Sequence, residues 1–338
     1  MNQTKFFIGI DISAETFISS LFLDSTTKII TSENFSNSIE GFEKFVNFLN
    51  DHNVDKNKSI ICFESTGVYS EKIAYYLFDK KYKIVEEHPL KVKRAFKVSN
   101  NKTDSVDSQQ IAEYAYRFQD ELIFWEPRKE ILEKMAQVLS IRELLVKQKV
   151  AFKNSFTSYK RHEIQDESII KTHENSIKFF ENEIKKLDSK LDDLIKKKLL
   201  IAQKIDRLTS IPGVGKLLAC AVLIQANEFE TKTNKEFSAY IGIVPYKNES
   251  GTSVFKKAKS RTYGHNFLKK LLCLSSLSMI QNNETIKKYY YRKVAEGKPK
   301  RIVLNNIANK TITLCYALLK NGTDYIENYK SINPVLLR

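Results

Sequence analysis

Four acidic residues of this 338-residue chain stand where carboxylates can share a cation. Asp11 closes the apolar run Phe6-Phe7-Ile8-Gly9-Ile10, and Glu64 closes Ser59-Ile60-Ile61-Cys62-Phe63. Asp104 and Asp107, within Asn101-Lys102-Thr103-Asp104-Ser105-Val106-Asp107, lead into Ile111, Ala112 and Tyr114 at helical spacing. A separation of three puts those two acids on one helix face. Taken singly, each has a structural reading: Asp11 can begin a turn, Glu64 can be solvated, Asp104 can cap a helix. Taken together, four gathered carboxylates repel one another unless divalent cations lie among them, which points to Mg²⁺, with Mn²⁺ the alternative. Two such ions roughly 4 Å apart can activate a nucleophile and stabilise a leaving oxygen at phosphorus.

A second set of residues suits phosphate. Ser250 is followed by Gly251, so its hydroxyl can reach a phosphate without obstruction, and Lys256, Lys257, Lys259, Arg261, His265, Lys269 and Lys270 follow closely. By itself Ser250 reads as a loop serine. In Ser210-Ile211-Pro212-Gly213-Val214-Gly215-Lys216, Gly213 and Gly215 permit a tight turn whose amides, with Lys216, can face a phosphate at a helix start. That segment is either a helix-hairpin-helix-like element or a plain interhelix turn. Two further basic stretches are Lys91 to Lys102 and Lys287-Lys288-Tyr289-Tyr290-Tyr291-Arg292-Lys293. The tyrosines of the second can stack on unpaired bases or fill a core.

The elements that must position these groups fall into three regions, 1–127, 128–203 and 204–338. In the first, Phe6 to Ile10, Phe17 to Leu23 and Lys28 to Phe35 read as a strand meander, and Ile39 to Leu49 as a helix. Strands follow at Ser59 to Phe63 and Tyr82 to Val85, with a helix between them. This is the element order of an α/β RNase H-like (RuvC-like) domain, in which Asp11 and Glu64 converge if their strands are neighbours. The second region lacks proline and glycine from Arg128 to Ile201. Ile177, Phe180, Ile184, Leu187, Leu191 and Leu194 step by three and four, a heptad seam interrupted at Lys198. Two long helices in an antiparallel or intermolecular coiled coil account for it, as does an ordinary helical bundle. The third region is mainly helical, and its last stripe, Ile302, Ile307, Thr311, Leu314 and Leu318, stops at Asn321-Gly322.

Composition limits the classes open to the chain. Hydrophobic residues at 42% and charged residues at 28% describe a globular protein, and a net charge of +15 suits a polyanion, nucleic acid before others. Cys62, Cys220, Cys273 and Cys315 lie far apart in apolar runs, which argues against a zinc site or disulfide framework and for a reducing interior. No stretch has signal-peptide character or membrane-spanning length, so a cytoplasmic, nucleoid-associated protein is expected.

With these motifs in place, the chain resembles the DEDD transposases of insertion sequences, relatives of the Piv-type DNA invertases and of bridge-RNA-guided recombinases. The resemblance runs nearly the whole length. Ile8-Gly9-Ile10-Asp11, Glu64-Ser65-Thr66-Gly67-Val68-Tyr69 and Asn101 to Asp107 look like the family's RuvC-like half. Ile211-Pro212-Gly213-Val214-Gly215 and Glu249-Ser250-Gly251 look like its C-terminal half. The resemblance implies that Asp11, Glu64, Asp104 and Asp107 hold the metals while Ser250 becomes joined to DNA. It also implies donor and target DNA, a structured guide RNA, and dimers that pair into tetramers. Where the family often has Ser-Lys before a glycine and then Leu-Arg, this chain has Ser260-Arg261-Thr262-Tyr263-Gly264 and Leu268-Lys269-Lys270, which keep the positive charge. A Holliday-junction-resolvase-like nuclease, a DNA invertase and a non-catalytic binding module are the competing readings.

Overall fold

The computed structural model describes residues 4–26, 28–96, 104–226, 233–250, 254–260 and 264–326; the side chains of 104, 245–250 and 254–260 lie outside that description. The chain divides into two compact units, Met1–Pro127 and Arg128–Arg338, each with its own core.

The first unit is built on a five-stranded sheet in the order β3-β2-β1-β4-β5. Strands β1 (Phe6–Ile12), β2 (Thr16–Leu23) and β3 (Lys28–Ser36) form the antiparallel meander, and β4 (Ser59–Glu64) and β5 (Ile84–Glu87) add parallel to β1. Parallel neighbours need crossovers, which are α1 (Ile39–Asp51) between β3 and β4 and α2 (Val68–Asp79) between β4 and β5. Antiparallel meander, crossover helix, then parallel strands is the RNase H-like order expected from the sequence.

Alternation along β1 separates two apolar layers. Ile8, Ile10 and Ile12 join Phe42, Phe45 and Leu49 of α1 and Ile73 and Leu77 of α2 on one face. Phe7 joins Cys62, Val85 and, from α4 (Asp104–Arg117), Ile111, Ala112 and Ala115 on the other. A short helix, α3 (Pro89–Ala95), precedes α4 and starts with proline, whose missing N–H is no loss there.

The second unit opens with a helical hairpin, α5 (Glu130–Tyr159) and α6 (Glu167–Lys196). Its arms run antiparallel within one chain. Arg142 donates to Asp188 at 2.6 Å, Lys153 pairs with Glu181 at 3.1 Å, and the Phe152 and Phe180 rings lie 5.4 Å apart. The heptad seam therefore faces α5. Ile184, Leu191 and Leu194 are buried, whereas Ile141 of α5 is exposed and Arg142 beside it bridges to α6. Lys198 interrupts the seam because the helix ends there: it is the N-cap of α7 (Leu199–Thr209).

The remaining helices are α8 (Lys216–Ala226), α9 (Asn234–Ile241), α10 (Asn266–Asn282), α11 (Glu284–Ala295) and α12 (Lys300–Asn321). They share one core with the base of the hairpin: Leu132, Met135, Leu191 and Leu194 cluster with Leu208, Val222, Leu272 and Ile307. Helix α8 is buried all round from Leu218 to Ala226, as its unbroken apolar sequence requires. Helix α12 is long and apolar enough to cross a membrane, but Val303, Ile307, Ile312 and Cys315 are packed in this core, and Gly322 ends it at φ 68°. A feature not foreseen is a β-hairpin within this helical unit, β6 (Pro245–Ser250) paired antiparallel with β7 (Val254–Ser260).

Candidate carboxylate centre

The parallel register of β1 and β4 sets the first pair of acids. Ile10 stands opposite Phe63, so Asp11 and Glu64 follow one residue further along neighbouring strands. Side chains alternate, which turns both acids to the face occupied by Phe7 and Cys62, the face covered by α4.

Helix α4 brings the second pair to the same end. Phe7 packs edge-on against Tyr116, with ring centroids 5.4 Å apart. Gly9, two residues along the strand, lies under Ser108 and Ala112, so α4 runs antiparallel to β1 and its first turn overlies Asp11. The approach is backbone on backbone: a Cβ on Gly9 would sit 2.1 Å from the Ser108 carbonyl oxygen. Glycine at this position is therefore what lets the helix dock. A buried hydrogen bond, Ser20 Oγ to Ser108 Oγ at 2.7 Å, fixes one flank. The backbone thus carries Asp104 and Asp107 to the edge where Asp11 and Glu64 end; the Asp104 side chain is outside the described residues. Among the described residues, no three metal-binding side chains form a ready-made group.

The donor set fits a hard divalent cation. Every candidate is a carboxylate, and the one sulfur nearby, Cys62, is buried; burial first, then the Glu87 and Glu64 carboxylates, pushes its thiol far up, so it stays protonated. The Thr66 hydroxyl, two residues after Glu64, is buried without a protein partner, which leaves an acceptor and donor for a bound group or water beside the acids.

Sequence reasoning missed one acid here. Glu87 stands opposite Glu64 in the β4–β5 register and its side chain is only 12% exposed. It accepts hydrogen bonds from the Tyr114 hydroxyl at 3.1 Å, from Lys91 Nζ at 3.1 Å and from the His88 amide at 2.9 Å. Burial, then the neighbouring Glu87 charge, raises the Tyr114 hydroxyl above its ordinary range, so it remains a donor. The rim also holds exposed Val68 and Tyr69, and Asn37 ties this rim together by donating to the Ser13 and Tyr69 carbonyls at 2.9 and 3.1 Å.

The phosphate-binding candidates lie in the second unit. Ser250 is the last residue of β6, opposite Val254, at the tip end of the β6–β7 hairpin. Lys256 and Lys259 stand in register with Asn248 and Tyr246, and Lys257 lies between them on β7. The side chains of Ser250, Lys256, Lys257 and Lys259, and Arg261 altogether, lie outside the described residues. The hairpin's base is better tied. Asn305 donates to the Ile243 carbonyl at 2.7 Å, and Gly264 packs on Ile241, where a Cβ would lie 2.5 Å from its oxygen.

The glycine turn between α7 and α8 has mixed character. Gly213, at φ 85°, presses on Met279, and Ile211 and Val214 are buried, which are packing roles. A Cβ on Gly215 would meet nothing within 4 Å, so the start of α8 is open there. Lys216 is bound to Asp192 at 2.5 Å and is not a spare cation. Of the tyrosines on α11, Tyr289 lies between Lys310 and Arg292, and Tyr290 packs toward the core. Tyr291 is left exposed.

Comparison with known proteins agrees with this layout. A transposase family model of the DEDD type of IS110 matches residues 8–159, and a model described as the IS116/IS110/IS902 transposase family matches residues 205–291. The pilin gene-inverting proteins of Moraxella bovis and Moraxella lacunata are each 23% identical over 328 residues, 96% of this chain and 98% of theirs. An uncharacterized 43.6 kDa protein of insertion element IS110 from Streptomyces coelicolor is 31% identical over 119 residues, 35% of this chain and 29% of that protein. A structure of T. thermophilus RuvC in complex with Holliday junction substrate aligns with 36% of this chain and 99% of its own at a TM-score of 0.27 and 11% identity; the sheet topology, not this likeness, carries the fold assignment. The two family models describe one lineage and reach into both compact units, and the chain accordingly belongs to the IS110/IS116/IS902 family of transposases, enzymes that recombine DNA.

Proposed function

We propose that this transposase cuts and rejoins DNA with Asp11, Glu64, Asp104 and Asp107 holding Mg²⁺, or Mn²⁺ in its place, and with Ser250 joined transiently to a DNA end. The observation that carries the reading is the docking of α4 on Gly9, which brings the acids of α4 to the strand ends bearing Asp11 and Glu64. Bound there, the ions would neutralise charge developing at phosphorus and lower the pKa of a hydroxyl. The carboxylates hold and orient. Ser250 supplies the nucleophile, its oxygen replacing a DNA oxygen at phosphorus while that strand end leaves as a hydroxyl. Attack by a new strand's hydroxyl on the serine phosphoester then frees the serine and restores a phosphodiester.

Donor and target DNA are the substrates in this reading, and a structured guide RNA pairs with both. The basic residues Lys256, Lys257, Lys259 and Arg261 would hold the phosphates, with the Gly213–Lys216 turn reduced to the amides near Gly215, since Lys216 is engaged by Asp192. Subunits act as dimers that pair into tetramers, in the cytoplasm on the nucleoid. Inversion of a DNA segment is the second reading, favoured by full-length similarity to the pilin gene-inverting proteins. The test is recombination of labelled suicide substrates with and without chelator and guide RNA. Metal-dependent breakage with protein attached to DNA supports the proposal; free ends without adduct would indicate a water-activating nuclease.

A further inference from the structure

We infer that Glu87 is a positioning residue of the carboxylate centre: through its bond from Tyr114 it holds α4 against the β5 side of the sheet. The inference rests on the metal reading above. Beyond its apolar packing on the sheet, helix α4 is held by three specific contacts. Gly9 lets it touch β1, Ser108 bonds Ser20 on the β2 side, and Tyr114 bonds Glu87 on the β5 side. Without the third anchor the helix can roll about the line of the other two. Asp107 shares the flank of α4 that carries Tyr114, seven residues or two turns apart, so a roll moves Asp107 relative to Glu64.

Glu87 is placed to steady the acids rather than to join them as a ligand. Its Oε1 accepts the His88 amide at 2.9 Å and lies 3.0 Å from Lys91 Nζ, and its Oε2 accepts Tyr114 and Lys91 at 3.1 Å each. Both oxygens are committed to protein donors. Lys91 balances the charge that would otherwise repel Glu64, its register neighbour on β4.

Full-length protein carrying Glu87→Ala, Glu87→Gln, Tyr114→Phe or the Ala/Phe pair is titrated with Mn²⁺ by electron paramagnetic resonance, and amide exchange is followed along α4. Glu87→Ala and Tyr114→Phe should each weaken Mn²⁺ binding roughly 10-fold, as loss of a supporting partner does. They should also speed exchange in the first two turns, and the pair should be no worse than either alone. Glu87→Gln keeps an acceptor for Tyr114 and should stay near wild type. A Gln variant as weak as the Ala variant would overturn the inference in favour of a charge or ligand role. Single variants indistinguishable from wild type in both measurements would overturn it too. If the wild type takes up no Mn²⁺ and Asp11→Asn changes nothing, the metal reading has failed, and exchange in α4 alone decides the tether. Should Glu87→Ala not fold, Tyr114→Phe, which removes a single oxygen, carries the test.

Discussion

Gly9 of β1 and Ser108 of α4 are in backbone contact, the strand's Cα facing the helix's carbonyl with no room for a methyl group between them. Everything proposed for the acids depends on this contact, because it sets the height of α4 above the sheet. Gly9→Ala should therefore push the helix outward, destabilise the first unit by about 1–3 kcal/mol, and lower Mn²⁺ affinity. Chemical denaturation and metal titration of the same variant check both effects. An Ala variant with unchanged stability and affinity would show that the contact is relaxed in solution.

Asp11→Asn should abolish DNA cleavage while leaving DNA binding in place. The amide keeps the size of the carboxylate but loses the charge that attracts a divalent ion. Gel shift and cleavage assays in Mg²⁺, run side by side, separate the two outcomes. Full activity in excess chelator would remove the metal from the account.

Ser250→Ala should bind DNA without becoming attached to it. Denaturing electrophoresis of suicide-substrate reactions, followed by peptide mapping, should find the adduct at Ser250 in the wild-type protein and none in the variant. Thr252 and Ser253 replacements should matter far less.

The thiols should divide three to one. Cys62, Cys220 and Cys315 are buried and Cys273 is exposed. Desolvation pushes the Cys220 and Cys315 thiols up to about 12, and Cys62 also upward. A raised pKa keeps a thiol protonated and unreactive at pH 8. Titration with a disulfide reagent should thus show one fast thiol in the native protein and four after denaturation.

Leu191→Ala should destabilise the second unit by roughly 2–5 kcal/mol, since Leu191 is fully buried where the hairpin joins the C-terminal helices. Thermal unfolding measures it.

The positions of Asp11 and Glu64 on their strands were legible because each follows an apolar run: Glu64 ends β4, while β1 continues one residue past Asp11 to buried Ile12. Glu87 was not. Ile84–Glu87 is four residues long, and the pair Glu86-Glu87 looks like any solvated loop until β5 is laid beside β4 and Glu87 falls opposite Glu64. The β6–β7 hairpin escaped for a related reason: Val254-Phe255-Lys256-Lys257-Ala258-Lys259-Ser260 lacks the alternation that marks a half-buried strand. The seam of α6 was clear, but its partner was not. The facing arm, α5, spends Arg142, Lys149 and Lys153 on ion pairs to α6 where apolar residues would have declared the match.

The acids come from distant stretches of chain: Asp11 and Glu64 belong to the sheet, and Asp107 arrives with a helix that begins at Asp104. On the proposed reading, the four carboxylates could gather only once α4 has been made and has settled on Gly9. A polypeptide still short of Arg117 lacks a complete α4 and so, on that reading, part of the proposed cation site. On that reading the cutting chemistry would be completed only by the last helix of the first unit, whose docking depends on the side chain that Gly9 lacks.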